Sequence, residues 1–215
     1  MLREIISNEW YTILFVLCLS ILAFAKYAFT IRFNDFLLLV GNSKYLKIYA
    51  REQKFIDQFD ALLFINFVIS ISLFSFLGYT TFIDNIEFNI ALFFKILFGV
   101  GAIILIKVLI ERLIGSLFEI DTLIDSYLFQ KTNYKNFIGL LLFPLNILLV
   151  FTVTLNHTVF YIAIGLLFLI NFIGFITSIK THQKTIINNI FYFILYLCAL
   201  EIAPYVILYK LLLNS

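Results

Sequence analysis

Six stretches of this chain are each long and apolar enough to cross a lipid bilayer, and they leave little else to fold. A spanning helix needs about 20 mostly apolar residues. The stretches cover residues 11–29, 61–83, 90–110, 137–155, 159–179 and 190–213. Inside hydrocarbon every backbone N–H and C=O must be satisfied within the structure, so runs of this length are helices. The expected fold is all-α: a polytopic membrane protein with six transmembrane helices and amphipathic cytoplasmic segments, forming a single domain over residues 1–215. Composition agrees. The chain is 63% hydrophobic and 13% charged, whereas a soluble domain is nearer half apolar and a quarter charged.

The last stretch, 190–213, sets the most demanding constraint. It carries one acid, Glu201, near its middle, with Pro204 and Tyr205 close behind. An intramembrane carboxylate costs roughly 2.5–3.5 kcal/mol on insertion scales. Counting along the helix, Glu201 lies about 16 Å from the cytoplasmic end. Pro204 leaves the carbonyl of Leu200 without its helical donor, and Tyr205 falls one turn beyond Glu201 on the same face. The acid has three fates: protonated and bonded to backbone or Tyr205, paired with Lys95 of the third span, or lining a polar path and titrating.

The first span contains Ala23-Phe24-Ala25, which has the form of a signal-peptidase site. Glu4 and Glu9 beside a single Arg3 argue for an uncleaved span. Residues 30–60 are the longest polar connection. Asn34-Asp35 are placed to cap a short apolar turn over 36–40, and residues 44–58 read as a charged helix with Arg51, Glu52, Lys54 and Asp57. This connection is expected at the membrane surface. Between the third and fourth spans, Leu113, Leu117, Ile120, Ile124 and Tyr127 recur at helical spacing. The opposite side carries Glu119, Asp121 and Asp125. A helix resting on anionic lipid has a basic polar face, so this acidic one is read as docking onto protein. Residues 180–189 read as a polar loop.

Basic residues give the orientation. Loops one, three and five hold ten, among them Lys44, Lys47, Arg51 and Lys54; loops two and four hold none. The positive-inside rule then places the odd loops in the cytoplasm and both termini outside. The loop-one cations could also touch anionic lipid, and a solvated cytoplasmic face is the plainer reading.

Within the spans, Asn66, Asn146 and Asn171 are candidates for interhelical hydrogen bonds worth on the order of 1 kcal/mol each. Lys95 and Lys107 sit toward opposite ends of the third span, where long stems reach the interface; Lys107 and Glu111 are four apart and can pair. Cys18 and Cys198 lie in different spans and form no CxxC, which argues against a thiolate metal site. His157 and His182 fall in loops on opposite sides, so they cannot share a haem or a metal. Metalloprotease, serine-hydrolase and phosphate-loop signatures do not occur. No cofactor and no nucleic-acid partner is expected.

The segment Ile194-Leu195-Tyr196-Leu197-Cys198-Ala199-Leu200-Glu201-Ile202-Ala203-Pro204 resembles the C-terminal motif of a family of uncharacterised multi-pass inner-membrane proteins of Bacteroidota, classed as a domain of unknown function. The Lys44-Tyr45-Leu46 region is similar too. The resemblance implies a bacterial inner-membrane location and transfers no catalytic residue. Small size, the lack of a catalytic constellation and the acidic stretch at 113–128 point to a non-enzymatic subunit or assembly factor of a larger envelope or protein-export complex. Its partners would be the lipid bilayer and other membrane subunits. The alternative is a small proton- or ion-coupled transporter using Glu201 with Lys95; an intramembrane enzyme is a third reading.

Overall fold

The computed structural model describes residues 9–39, 44–49, 57–83, 88–117, 121–152 and 157–188. Among these are seven helices: α1 (Glu9–Ala28), α2 (Thr30–Leu37), α3 (Lys44–Tyr49), α4 (Gln58–Phe82), α5 (Ile90–Leu117), α6 (Asp121–Phe151) and α7 (His157–Asn188). Five of them, α1, α4, α5, α6 and α7, are long and apolar enough to cross a membrane. The chain is a membrane protein. The expected sixth span, 190–213, lies outside the described residues.

Local chemistry sets several helix starts. Asp57 is extended and its Oδ1 accepts from the backbone N–H of Phe59 at 3.1 Å, capping α4. Asn89 accepts from the N–H groups of Ala91 and Leu92 at 3.0 and 3.1 Å at the head of α5. Such caps satisfy donors that the first helical turn leaves open.

Helix limits differ from the apolar windows in a consistent direction. Asn34 and Asp35 lie inside α2 and not at its start. The charged helix expected over 44–58 is helical at 44–49, and Gln58 already belongs to α4. The fourth span is the second half of a 31-residue helix that begins at Asp121. Residues 180–188, expected as loop, continue α7. A helix that leaves the hydrocarbon keeps its backbone bonds while its side chains turn polar, so hydropathy marks the bilayer crossing and not the helix end.

The core is the α4–α6 pair. Asn136 Nδ2 donates to the carbonyl of Asp60 at 3.4 Å, and Asn146 Nδ2 donates to the carbonyl of Ser70 at 2.8 Å. Numbers rise together on both helices, so α4 and α6 run parallel. Between these bonds the helices nearly touch: a Cβ on Gly139 would lie 2.5 Å from the Cα of Phe67. Small residues at such crossings let membrane helices approach closely. α7 runs the other way, with Phe160 stacked on Phe74 (centroids 4.5 Å) near one end and Gly174 against Tyr134 near the other. α1 packs on α4 through Phe15 and Cys18, which join Ile69, Leu73, Phe76 and Phe93. α5 is the least covered: Phe93, Glu111 and Gly115 are its buried residues.

α2 and α3 fold under the end of the bundle where α4 and α6 carry their polar groups, called the basic end below. Phe36, Tyr45, Leu46, Phe59, Leu63 and Phe137 form an aromatic plug there.

Candidate functional site

Two groups of charged residues and the cleft between them occupy the basic end. The first group is centred on Arg32 of α2. Its Nη1 donates to Asp57 Oδ2, its Nη2 reaches Asp60 Oδ2 at 3.1 Å, and its Nε donates to the Tyr45 hydroxyl at 3.4 Å. The guanidinium also lies over the rings of Phe59 and Tyr49, 4.8 and 5.0 Å from their centroids. Tyr45 passes the chain on, donating to Asn133 Oδ1 of α6 at 3.2 Å, and Tyr49 donates to Asp35 at 3.2 Å. One planar cation thus joins α2, α3, α4 and, through Tyr45, α6. Only arginine offers a fork that can serve two carboxylates and a phenol while stacking on aromatics.

Burial raises the Tyr45 phenol pKa, and the Asp60 carboxylate adds to the rise against the opposing pull of Arg32. For Arg32, burial works against the charge, and Tyr45 and Asp60 outweigh it, so its pKa stands above the ordinary guanidinium value. Both groups are locked in one protonation state at neutral pH.

The second group lies where α5 meets α6. Glu111 is fully buried and accepts from Lys131 Nζ at 2.6 Å. Lys131 also sits 5.7 Å from the Tyr127 ring centre. Arg112 reaches Asp125 at 3.4 Å, both being partly exposed. Between the groups is a cleft of about 220 Å³ walled by α4, α5 and α6, with Asp57, Asp60, Arg112, Asp125 and Lys135 in its lining.

A second polar region lies inside the bundle. Asn66, Ser70, Ser72 and Asn146 are fully buried on α4 and α6. The Asn66 amide and the Ser70 hydroxyl find no protein hydrogen bond, and nor does the Asn146 carbonyl oxygen.

Of the residues singled out in the sequence, Asn66 and Asn146 come to the α4–α6 seam, and Asn146 makes the interhelical bond expected of it. Asn171 does not: it is exposed and its amide donates to the carbonyl of Leu167, one turn back on its own helix, at 3.2 Å. Lys95 is exposed on α5. The stretch 113–128 is divided between two helices, with Leu113 and Leu117 exposed on α5 and Ile124 and Tyr127 buried on α6. Of its acids, Asp121 and Asp125 lie one turn apart on α6, Asp121 exposed and Asp125 paired with Arg112, and Glu119 lies outside the described residues. Lys44 and Lys47 are on α3. Arg51, Lys54, Glu201, Pro204 and Tyr205 lie outside the described residues.

Sequence reading missed the Arg32 hub and the buried polar row Gln130, Asn133 and Asn136. The row had a signal: polar amides three apart, continuing into Gly139, describe one face of a helix. Arg32 had none, because its carboxylate partners are 25 and 28 residues away.

A family model for a domain of unknown function (DUF4271) matches residues 11–212. The chain belongs to this family. No curated protein and no solved structure matches it. Among the described residues no group of three or more His, Cys, Asp or Glu is placed to hold a metal ion.

Proposed function

We propose that this DUF4271 protein is a non-enzymatic integral subunit or assembly factor of a larger membrane complex, and that α5 is the helix its partner packs against. In this reading it sits in a bacterial inner membrane with six spans, the basic end in the cytoplasm and both termini outside. The observation that carries the proposal is the openness of α5. Of its 28 residues only Phe93, Glu111 and Gly115 are buried. Gly99 has nothing within 4 Å of where a Cβ would stand, and Ala102, one turn on, is exposed too. A small-residue strip on an uncovered helix suits close approach of another helix. Phe94, Phe98, Ile103 and Ile106 flank it with large apolar side chains. The polar chemistry at the basic end also supports the reading, since Arg32, Asp57, Tyr45 and Asn133 are occupied with one another and with neighbouring groups.

The test is native mass determination of the tagged protein, purified in mild detergent at native expression, with Gly99→Leu beside it. A heteromeric complex that Gly99→Leu dissociates, with the protein level unchanged, supports the subunit reading. A lone protomer in both samples refutes it. The buried Asn66 amide and the Asn146 carbonyl oxygen, which find no hydrogen-bond partner, favour the second reading, a small ion-coupled carrier using Glu201 and Lys95. Loss of function in Glu201→Gln with complex mass unchanged would select that one.

A further inference from the structure

The cleft between the two charged groups has a mixed lining. Asp57 and Asp60 stand at the start of α4, Arg112 near the end of α5, and Asp125 and Lys135 on α6. The rest of the lining is largely apolar, with Phe64 on α4 and Ile104, Leu105 and Val108 on α5. Arg112 and Ile104 are eight residues apart, about 12 Å along the helix. Leu105 is 52% exposed, so this wall is open to the surroundings of α5, which for a spanning helix is hydrocarbon.

A volume of about 220 Å³ is below the roughly 300–1,000 Å³ of pockets that enclose a drug-sized ligand. It suits a headgroup and the first methylenes of a chain, with the remainder outside in the bilayer. The charges restrict the headgroup. Arg112 and Lys135 attract phosphate. Asp57, Asp60 and Asp125 in the same lining disfavour a headgroup that brings only negative charge and favour one that adds a cation. The Arg112–Asp125 contact, at 3.4 Å, is looser than the 2.7–2.9 Å of a good charge-assisted bond, so a phosphate can replace it. A primary ammonium can donate to the carboxylates; a trimethylammonium cannot.

We infer that this cleft is a binding site for a phospholipid whose headgroup joins a phosphate to a primary ammonium, taken from the leaflet at the basic end. The phosphate lies against Arg112 and Lys135, the ammonium against Asp60, whose Oδ1 finds no hydrogen-bond partner while Oδ2 is held by Arg32, and the first chain carbons along Phe64, Ile104 and Leu105. This site is separate from the α5 strip of Gly99 and Ala102, and it stands whether or not a protein partner binds there.

Native mass spectrometry of the full chain tests it, with three lipids of matched chains at equal concentration. Their heads are phosphoethanolamine, phosphoglycerol and phosphocholine. Retention of the first should exceed the others by about tenfold, the scale of one charge-assisted hydrogen bond. Lys135→Gln, which removes a phosphate contact common to all three, should weaken retention of each about equally, and Leu105→Trp, on an exposed wall where folding is little affected, should block binding. Asp125→Asn should admit the phosphoglycerol lipid. Soluble phosphoethanolamine at millimolar concentration should leave the bound lipid in place. Equal retention of all three lipids, indifference to both Lys135→Gln and Leu105→Trp, or full displacement by the soluble head would overturn the assignment.

Discussion

Replacing Arg32 with alanine should unsettle the basic end more than any other single charge change there. The side chain is 16% exposed, against 24% for Asp57 and 17% for Asp60. Removing it leaves two carboxylates in and beside the first turn of α4 facing each other without a cation. Breaking a buried pair costs about 3–5 kcal/mol, mainly through the stranded charge. Residual solvent at these exposures lets the carboxylates hydrate or take up a proton, which lowers the expectation to about 2–4 kcal/mol. Two ring contacts and the Tyr45 bond are lost as well, and they fall within that range. Arg32→Lys keeps a charge and can hold one carboxylate, so about half the loss should return. The assay is denaturant unfolding in detergent, read at the transition midpoint. A cycle of Arg32→Ala with Asp60→Asn should give a coupling of at least about 1 kcal/mol. An Arg32→Ala protein within about 0.5 kcal/mol of wild type, or a coupling near zero, would refute the claim that this hub holds α2 and α3 against α4.

Lys131→Ala should cost about 3–5 kcal/mol, because it strands the fully buried Glu111, while Lys95→Ala on the exposed face of α5 should stay within about 0.5 kcal/mol; thermal melts in the same detergent compare them. Asn146→Leu should cost about 0.6–2 kcal/mol through its bond to Ser70, whereas Asn66→Leu, whose amide has no protein partner, should be neutral or stabilising, as unfolding titrations would show. Gly139→Leu should abolish the folded bundle, since even a Cβ meets the Phe67 backbone at 2.5 Å; Gly99→Leu, in open space, should leave the melting temperature unchanged. The raised pKa of Tyr45 makes its protonated form a source of stability that is full below the unfolded pKa of about 10 and is lost as pH rises through the higher folded value. Wild type should therefore lose stability above about pH 10 more steeply than Tyr45→Phe, by melting at a series of alkaline pH values.

What was legible in the sequence is the part that hydropathy encodes. Spans over 61–83 and 90–110 anticipate α4 and α5, because burial in lipid and burial in a helix pair ask for the same apolar side chains. The helical spacing over 113–128 anticipated the first residues of α6, but its continuation through 129–136 and the polar end of α7 were not legible, since a polar helix projecting from a bilayer has neither a hydrophobic run nor a loop's glycines and prolines. Partner choice was hidden for another reason. The four-residue rule paired Glu111 with Lys107, yet Glu111 also faces α6 and takes Lys131 as a partner from 20 residues away. Arg32 looked like one more topology-setting cation among ten. Its role depends on α2 folding back beneath α4, which no local pattern specifies.

The distribution of polar groups separates two tasks that hydropathy merges. α4 and α6 are apolar enough to cross a membrane, yet they place amides and small residues at their shared seam. Lipid gives helices no hydrophobic reason to associate, so close packing and interhelical hydrogen bonds must supply the specificity. Gly139 against Phe67 supplies the first, and Asn136 and Asn146 the second. α5 is just as apolar and contributes almost nothing to that seam; its buried polar residue, Glu111, sits at the basic end, where Lys131 can reach it. α5 is thus held to the bundle near both ends: by Phe93 in the cluster with Leu73 and Phe76 at one, and by Glu111–Lys131, Arg112–Asp125 and Gly115 against Ile124 at the other. A helix anchored in this way can present the face around Gly99 to a neighbour while α4 and α6 keep their packing. The cleft that takes the headgroup lies at the basic end, so a bound lipid would add contacts among α4, α5 and α6 beside the ion pairs that hold α5 there.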